Sequence, residues 1–553
     1  MFDRNYNLFM ERFPKLALLL NFSHPQNEIE ESFSLPELTN VDILYFYGIA
    51  TGSPYSSLKE WLHKNPERRL VFLSDDFNTF LQSEKGEEIL LDSQVVLDLP
   101  SEVDTLVEKF PFSKIEVSCF SVFRTKKFQS LRLEILRKTT LSHALHLDRL
   151  HGYQPFINFL RNIRQLPLSF YANGLKGKFR GIPAIVCGAG PSLEKAIPYL
   201  KKMEQKGLII AGGSTLAALS SQGITPHFGM AIDPNLEEFK RLKNSFSFEV
   251  PFLYSTRVFP EVFQTCNGPF GYMRSGIGGL LELWMEEKLG LTDPLLGEHL
   301  SCDSISVTSI CVAWAEFLGC NPIVLSGVDL AYTDQKQYAS GVKITDEILF
   351  KDLNSTSACN KLYKRKNQKG KTIYTAVRWL MERDSLSHFA KMHCDKQFIN
   401  TTENGLKIQN ILYKPLGELL DSFGDFDSQL RVQEEIFLSP MPLESKKIIE
   451  NELKELSASL DRVVAHLTIL SQRPSVLDEF ELIEESAYSY IFYDVDSILN
   501  QELDQIFPCW PATDPAIRIQ QKWRLFLDLA KKYQRVFKEN SSDLHPSSSI
   551  VIS

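Results

Sequence analysis

The stretch 182–193, which runs Ile182, Pro183, Ala184, Ile185, Val186, Cys187, Gly188, Ala189, Gly190, Pro191, Ser192, Leu193, most narrows what this chain can fold into. Residues 184–187 are apolar, too few for a helix and without alternation, which is the pattern of a parallel strand covered on both faces. Gly188 and Gly190 follow at once, and glycine permits the sharp turn and close backbone approach that end such a strand. Ser192 is a good helix N-cap, and Leu193, Ile197 and Leu200 then recur at helical spacing. Free amides at such a helix start attract phosphate. The same turn also serves simply to pack a helix on a sheet, so the neighbouring segments decide its weight.

Those segments repeat the pattern. Runs at 41–47, 70–73, 95–99 and 114–122 read as strands of an N-terminal α/β unit, with a glycine turn at 48–53 and an acidic pair, Asp75 and Asp76, closing the second strand. In dinucleotide-binding folds such an acid holds ribose hydroxyls, but the turn lacks a full glycine fingerprint, which favours a scaffold of that shape without a ligand. From 126 to about 170 the spacing turns helical, through Leu131, Ile135, Leu136, Phe156, Phe159 and Ile163, and reads as a connector. Further strands are expected at 208–211, 228–232, 252–254, 323–325 and 398–399, and a helix over 304–318 with Asp303 or Ser304 as its cap. The strands end in polar or glycine-rich turns at 212–215, 233–235, 326–329 and 400–403. Doubly wound sheets bind ligands at the carboxyl ends of their strands, so these turns point to a crevice for a nucleotide. The basic stretch 361–371 reads as a loop, either solvated or closing over the same edge on phosphate or carboxylate groups.

Beyond 413 the pattern is wholly helical. Ile449, Leu453, Leu456, Leu460, Val463, Leu467 and Leu470 alternate spacings of four and three, a coiled-coil-like seam. It builds a helical bundle or a surface for a protein acceptor or a second copy of the chain. The expected architecture is α/β: a Rossmann-like N-terminal domain at 1–125, a helical connector at 126–180, a Rossmann-like central domain at 181–412, an all-helical domain at 413–538 and a disordered serine-rich tail at 539–553. The 553 residues suffice for several such cores, and a net charge of −9 argues against a nucleic-acid surface as the main business. Nine cysteines without a Cys-x-x-Cys pair, and no apolar leader after Met1, set the expectation of a cytoplasmic protein. No run approaches the roughly 18 apolar residues of a membrane span.

Several of these stretches resemble one family. Residues 187–193, then Gly223, Ile224, Thr225 and Pro226 ahead of Ala231, Ile232, Asp233 and Pro234, are similar to the central domain of the motility-associated-factor (Maf) proteins. These are flagellin glycosyltransferases whose central domain is also described as 6-hydroxymethylpterin diphosphokinase MptE-like. Residues 317–332, with Gly319, Cys320, Pro322, Gly327, Asp329, Leu330, Ala331 and Tyr332, and residues 399–405 resemble two further motifs of that family. The motifs also resemble bacterial sialyltransferases that use CMP-activated sialic acid, in which two tyrosines six residues apart hold the departing phosphate. Tyr332 and Tyr338 keep that spacing, and two phenol hydroxyls can donate to charge developing on a leaving group.

The resemblance implies a metal-independent glycosyltransferase without a cofactor, moving a nonulosonic sugar from a CMP-sugar donor to serine or threonine of a protein acceptor such as flagellin. It casts Tyr332 and Tyr338 as catalytic, and Gly188, Gly190, Pro191, Ser192, Gly213, Ser214, Asp233, Asn235, Thr308, Gly327 and Asp329 as the nucleotide-sugar wall. The C-terminal helices would hold the acceptor, and a homo-oligomer is open. Three departures stand out. Ala189 replaces an asparagine of the sialyltransferases, and His227 replaces an aspartate of the Maf pattern. No histidine occupies the loop before the helix near Thr375, where the sialyltransferases keep their general base, so His299, Asp303 and Tyr374 are the candidates, His299 first. Two alternatives stay open: a pterin diphosphokinase using ATP and Mg²⁺ held by Asp233, Asp303 and Asp329, and a nucleotide-sugar-binding or assembly protein without catalysis.

Overall fold

The computed structural model describes residues 2–18, 38, 41–110, 116–121, 126–150, 153–243, 249–300, 306–333, 336–342, 362–473, 476–493, 495, 499, 503 and 514–541. Residues 114, 115 and 122 of the fourth expected strand, Asp303 and Ser304, Lys361 and the tail beyond 541 lie outside the described residues. The chain divides into two compact units, one built on Met1–Asp148 and the other on Arg149–Phe350, Tyr363–Leu499 and Ile519–Ser553.

In the first unit, β1 (Ile43–Tyr47), β2 (Arg69–Leu73), β3 (Val95–Asp98) and β4 (Val117–Ser121) form a parallel sheet in the order β3-β2-β1-β4. Leu44, Phe46, Leu70 and Phe72 meet Phe9, Tyr55, Leu58, Leu62 and Phe80 in its core. At the strand ends the chain's own groups engage the acidic pair. Tyr47 Oη and Lys127 Nζ donate to Asp75 Oδ2 at 3.0 and 2.5 Å, and Asn78 N donates to Asp76 Oδ1 at 2.8 Å.

The second unit holds β5 (Phe170–Tyr171), β6 (Ala184–Cys187), β7 (Leu208–Gly212), β8 (Phe228–Ala231), β9 (Phe252–Tyr254), β10 (Phe270–Tyr272) and β11 (Ile323–Ser326). The hairpin strands β12 (Leu362–Lys366) and β13 (Thr372–Ala376) follow, then β14 (Phe398–Asn400) and β15 (Leu412–Tyr413). All but β12 and β13 join one parallel sheet in the order β15-β14-β11-β6-β7-β8-β9-β10-β5. From β6 the chain winds outward through β7 to β10 on one side, and later places β11, β14 and β15 on the other. The winding direction therefore reverses between β6 and β11, the topological switch point of a doubly wound sheet.

Helices cover both faces. After β6, α1 (Leu193–Met203) and, after β7, α2 (Ser214–Ser221) pack Leu193, Leu200, Leu216 and Leu219 with Ile185, Ile209, Val324 and Ile399. On the other face α3 (Val307–Phe317) packs on β6, β7 and β8, with Trp314 fully buried against Phe228. Ser306 caps α3: its Oγ accepts from Ser309 N at 3.0 Å and Ser309 Oγ accepts from Ser306 N at 2.8 Å, a reciprocal capping box. α4 (Val377–Met392) follows β13 directly.

Two expectations change. The basic stretch read as a loop is, from Leu362, a two-stranded sheet, because Asn367 Oδ1 accepts from Lys369 N at 3.0 Å and Lys371 N at 2.9 Å and closes a tight turn between β12 and β13. The helices beyond 413 share the core of the central sheet. Leu456, Leu460, Val463 and Leu467 of the helix Ser445–Gln472, with Phe526 and Ala530 of Pro515–Ser541, belong to the apolar cluster that contains Ile185 and Val324.

Candidate functional site

The two glycine turns at the switch point lock into each other. Gly188 N donates to Ser326 O at 2.8 Å and Gly190 N to Gly327 O at 2.9 Å. A Cβ on Gly188 would stand 2.6 Å from Gly327 O, and one on Gly190 would stand 2.7 Å from the Asp329 carboxyl. Gly327 itself has φ +70°, a conformation that suits glycine. These glycines are required by the packing of one turn on the other.

Ser192 does not cap α1. It adopts helical dihedrals and makes no side-chain cap, since its hydroxyl is used elsewhere. Ser192 Oγ donates to Asp329 Oδ1, and Ser192 N donates to Asp329 Oδ2 at 2.9 Å. Asp329, 2% exposed, thus brings its carboxylate to the helix start, a position that favours negative charge. A third loop joins the lock: Leu406 N donates to Asp329 O at 2.8 Å, and Thr401 N to Leu325 O at 2.9 Å.

The connection leaving β11 then lies across this edge. Tyr332 N donates to Tyr374 O at 2.8 Å, and Thr375 Oγ1 donates to Leu330 O at 2.7 Å. Tyr332 is 4% exposed, with its hydroxyl 3.5 Å from Gln337 Oε1 and its ring edge-on to Trp379 at a centroid distance of 5.3 Å. Tyr338 is half-buried, and its neighbour Ala339 donates its N–H to Ala189 O at 2.8 Å, which sets Tyr338 beside the glycine turn. Ser340 N and Oγ donate to Glu194 Oε1 at 2.8 and 2.6 Å, and these bonds hold the Glu194 carboxyl below its ordinary range. Residues 336–342 therefore form a strap over the first turn of α1. The β12–β13 hairpin is fastened to the loop after β14 by the Lys369–Glu403 ion pair and the Asn367–Leu406 bridge.

Neighbouring strand ends bring the remaining candidates to the same edge. Gly213 donates its N–H to Met230 O at 3.0 Å, and Ser214 opens α2, half-buried. Asp233 and Asn235 follow β8, half-buried and exposed respectively, and Asp233 O accepts from Phe259 N at 3.2 Å. Thr308 lies in the first turn of α3, half-buried, and Pro191 is in the turn after β6.

Two histidines lie at the opposite, amino edge. The His299 ring is 5.2 Å from that of His393, just past the end of α4, and His393 Nδ1 pairs at 3.3 Å with Glu316 in the last turn of α3. Tyr332 meets Trp379 in the first turn of α4, so the length of α4 separates it from His393 and the neighbouring His299, and His299 is not a base for that edge. His227 precedes β8, where its Nδ1 accepts from Ile209 N at 2.9 Å. Burial lowers its pKa to about 4, and it is a neutral packing residue.

Three carboxyls escaped sequence reasoning. Glu282 and Glu286 of the helix Leu280–Lys288 are each 1% exposed. Thr256 N donates to Glu282 Oε2 at 2.5 Å and Tyr272 Oη to Glu286 Oε1 at 2.5 Å, tying the helix to the ends of β9 and β10. Burial raises both pKa values, that of Glu286 to about 8. The third, Glu382 on α4, accepts from Ser306 Oγ at 2.5 Å at the start of α3, and burial raises its pKa as well. An acid one turn after Arg378 on a helix of mixed polarity is a weak signal in sequence.

Residues 157–335 match the sequence model of the family described as 6-hydroxymethylpterin diphosphokinase MptE-like. No curated protein sequence matches significantly. Among solved structures, a Maf glycosyltransferase from Magnetospirillum magneticum AMB-1 aligns over 99% of this chain and 97% of its own, at 14% identity and a TM-score of 0.47. The switch point, both glycine turns, Asp329 and Tyr332 all fall within the matched segment.

Proposed function

We propose that this chain is a glycosyltransferase that moves a nonulosonic sugar from its CMP ester to a serine or threonine hydroxyl of a protein. One observation carries the reading. At the switch point of a doubly wound sheet, where such folds bind nucleotides, the bond from Ala339 N to Ala189 O brings Tyr338 beside the turn after β6, and Tyr332, six residues earlier, follows β11 at the same edge. In this reading the two phenols donate to the phosphate as CMP leaves. The turn residues Gly188, Gly190, Pro191 and Ser192, with Gly327 and Asp329, form the wall beneath it. Ser214, Asp233, Asn235 and Thr308 face the base and sugar. The Maf and sialyltransferase motifs support the donor class, and the exposed surface of the C-terminal helices is the natural place for an acceptor.

The test combines CMP calorimetry with a transfer assay over a panel of CMP-sugars. CMP binds, and Tyr332→Phe or Tyr338→Phe lowers turnover about 10²-fold, the usual loss for one donor to developing charge. No binding and no turnover would refute the reading, and CMP binding without transfer would leave a nucleotide-binding protein. The family description favours a second reading, diphosphate transfer from ATP to a hydroxymethylpterin. It requires Mg²⁺ held by carboxylates such as Asp233 and Asp329, so Mg²⁺-dependent binding of ATP would select it.

A further inference from the structure

The reading just proposed leaves the acceptor hydroxyl without a base, and the inference that follows rests on that reading. Helix α4 begins immediately after Thr375, whose hydroxyl bonds Leu330 O at 2.7 Å, so its first turns stand at the end of β11. Trp379 in the first turn meets Tyr332 edge-on at 5.3 Å. Glu382 comes three residues later and shares that helix face. Its Oε1 accepts from Ser306 Oγ at 2.5 Å, and Ser306 caps α3. The next residue, Val307, fills the space that a side chain on Gly212, the last residue of β7, would take. Glu382 therefore lies between the ends of β11 and β7, the two strands that flank β6 and its glycine turn. It is half-buried and keeps an exposed part.

We propose that Glu382 is the general base for the acceptor and that Ser306 is its positioning residue. The acceptor O–H gives its proton to the Glu382 carboxylate while its oxygen forms a bond to the anomeric carbon. The bond from that carbon to the phosphate oxygen breaks, and CMP leaves with the electron pair. Glu382 then returns the proton to water. Burial strengthens the carboxylate as a proton acceptor, while the Ser306 hydroxyl and then Arg378, one turn earlier, work against that shift and help keep it ionised. The hydroxyl of Ser306 holds one oxygen and leaves the other for the substrate.

The experiment uses the full chain with CMP-N-acetylneuraminate as donor and water or a threonine peptide as acceptor, following CMP release against pH, with CMP affinity measured by calorimetry. Glu382→Gln keeps an acceptor for Ser306 and loses the base. It is expected to lower kcat by about 10²- to 10⁴-fold, leave the donor KM and CMP affinity within twofold, and abolish the acid limb of the kcat profile. Ser306→Ala keeps the carboxylate and is expected to shift that limb. If Glu382→Gln turns over within threefold of wild type, or keeps the acid limb, Glu382 is only a brace between α4 and α3 and the glycosyltransferase reading survives. If Glu382→Gln loses CMP binding through misfolding, Ser306→Ala decides, and an unchanged pH profile overturns the proposal. If the wild type neither binds CMP nor releases it from the donor, the glycosyltransferase reading falls and this proposal with it.

Discussion

The bond between Ser192 and Asp329 assigns a motif serine to the lock between two turns. A double-mutant cycle measures it. Asp329 is 2% exposed and accepts from both the backbone and the hydroxyl of Ser192. Each hydrogen bond to a charged group contributes about 1.5–3 kcal/mol. Ser192→Ala removes one and leaves the other, for an expected loss near the lower figure, about 1.5 kcal/mol. Asp329→Asn costs more, about 2–4 kcal/mol, because its amide must turn an N–H towards one of two donors in a buried place. In the double variant the hydroxyl is gone, so the asparagine directs its oxygen to Ser192 N and its N–H₂ to the vacated side. The two losses then fail to add by about 1.5 kcal/mol. Denaturant unfolding followed by tryptophan emission reads this directly, since Trp284, Trp314, Trp379 and Trp523 report on the second unit. A coupling below about 0.5 kcal/mol is ordinary additivity. It would mean that the two side chains do not share the bond and that the start of α1 stands open to a ligand.

Three further outcomes follow. His227 binds its proton with a pKa of about 4 in the fold against an ordinary 6.5, so the unfolded chain takes up the proton first as pH falls. Stability is unaffected well above pH 6.5 and drops by about 3 kcal/mol between there and pH 4, a slope that unfolding of His227→Asn should lack. Gly188→Ala places a methyl 2.6 Å from the backbone oxygen of Gly327, where no flexible side chain can yield, and an overpacking loss of about 1–3 kcal/mol is expected in the same assay. Leu460→Ala empties part of the core common to sheet and helices and should cost about 2–5 kcal/mol in a single transition, whereas an early separate transition would show that the helices form their own domain.

Much of the fold was legible because buried parallel strands leave short apolar runs bounded by turns. Ala184–Cys187 and Phe252–Tyr254 agree with the sequence reading to the residue, and most other strands differ by one or two. Three short edge or near-edge strands, β5, β10 and β15, gave no signal, since two or three residues carry no period. The β12–β13 hairpin was hidden by its charge: lysines and arginines on a two-stranded sheet look like a solvated loop until the Asn367 turn is recognised. At the site, sequence grouped the turns correctly at one edge because strand order alone brings them there. It put Ser192 in the wrong bond, because a cap and a partner for a distant carboxylate look alike in one dimension. His299 was chosen by elimination among histidines, and only the course of α3 and α4 shows that it belongs to the other edge.

The distribution of tasks within the site follows from the lock. Gly188, Gly190 and Gly327 are consumed by turn-on-turn packing, and Ser192 and Asp329 satisfy each other, so these motif residues build the switch point whatever ligand it takes. In the proposed reading the groups that choose a ligand come from elements laid over the lock: Tyr332 after β11, the strap with Tyr338, the first turns of α4 with Trp379 and Glu382, and the start of α3 with Ser306 and Thr308. In that reading a chain can keep every glycine of the motif and change its chemistry by altering Tyr332, residues 336–342 and residues 377–382. Substitutions in the turns should move stability first and substrate choice little, while those in the strap and the first turns of α4 should move substrate choice with the fold intact.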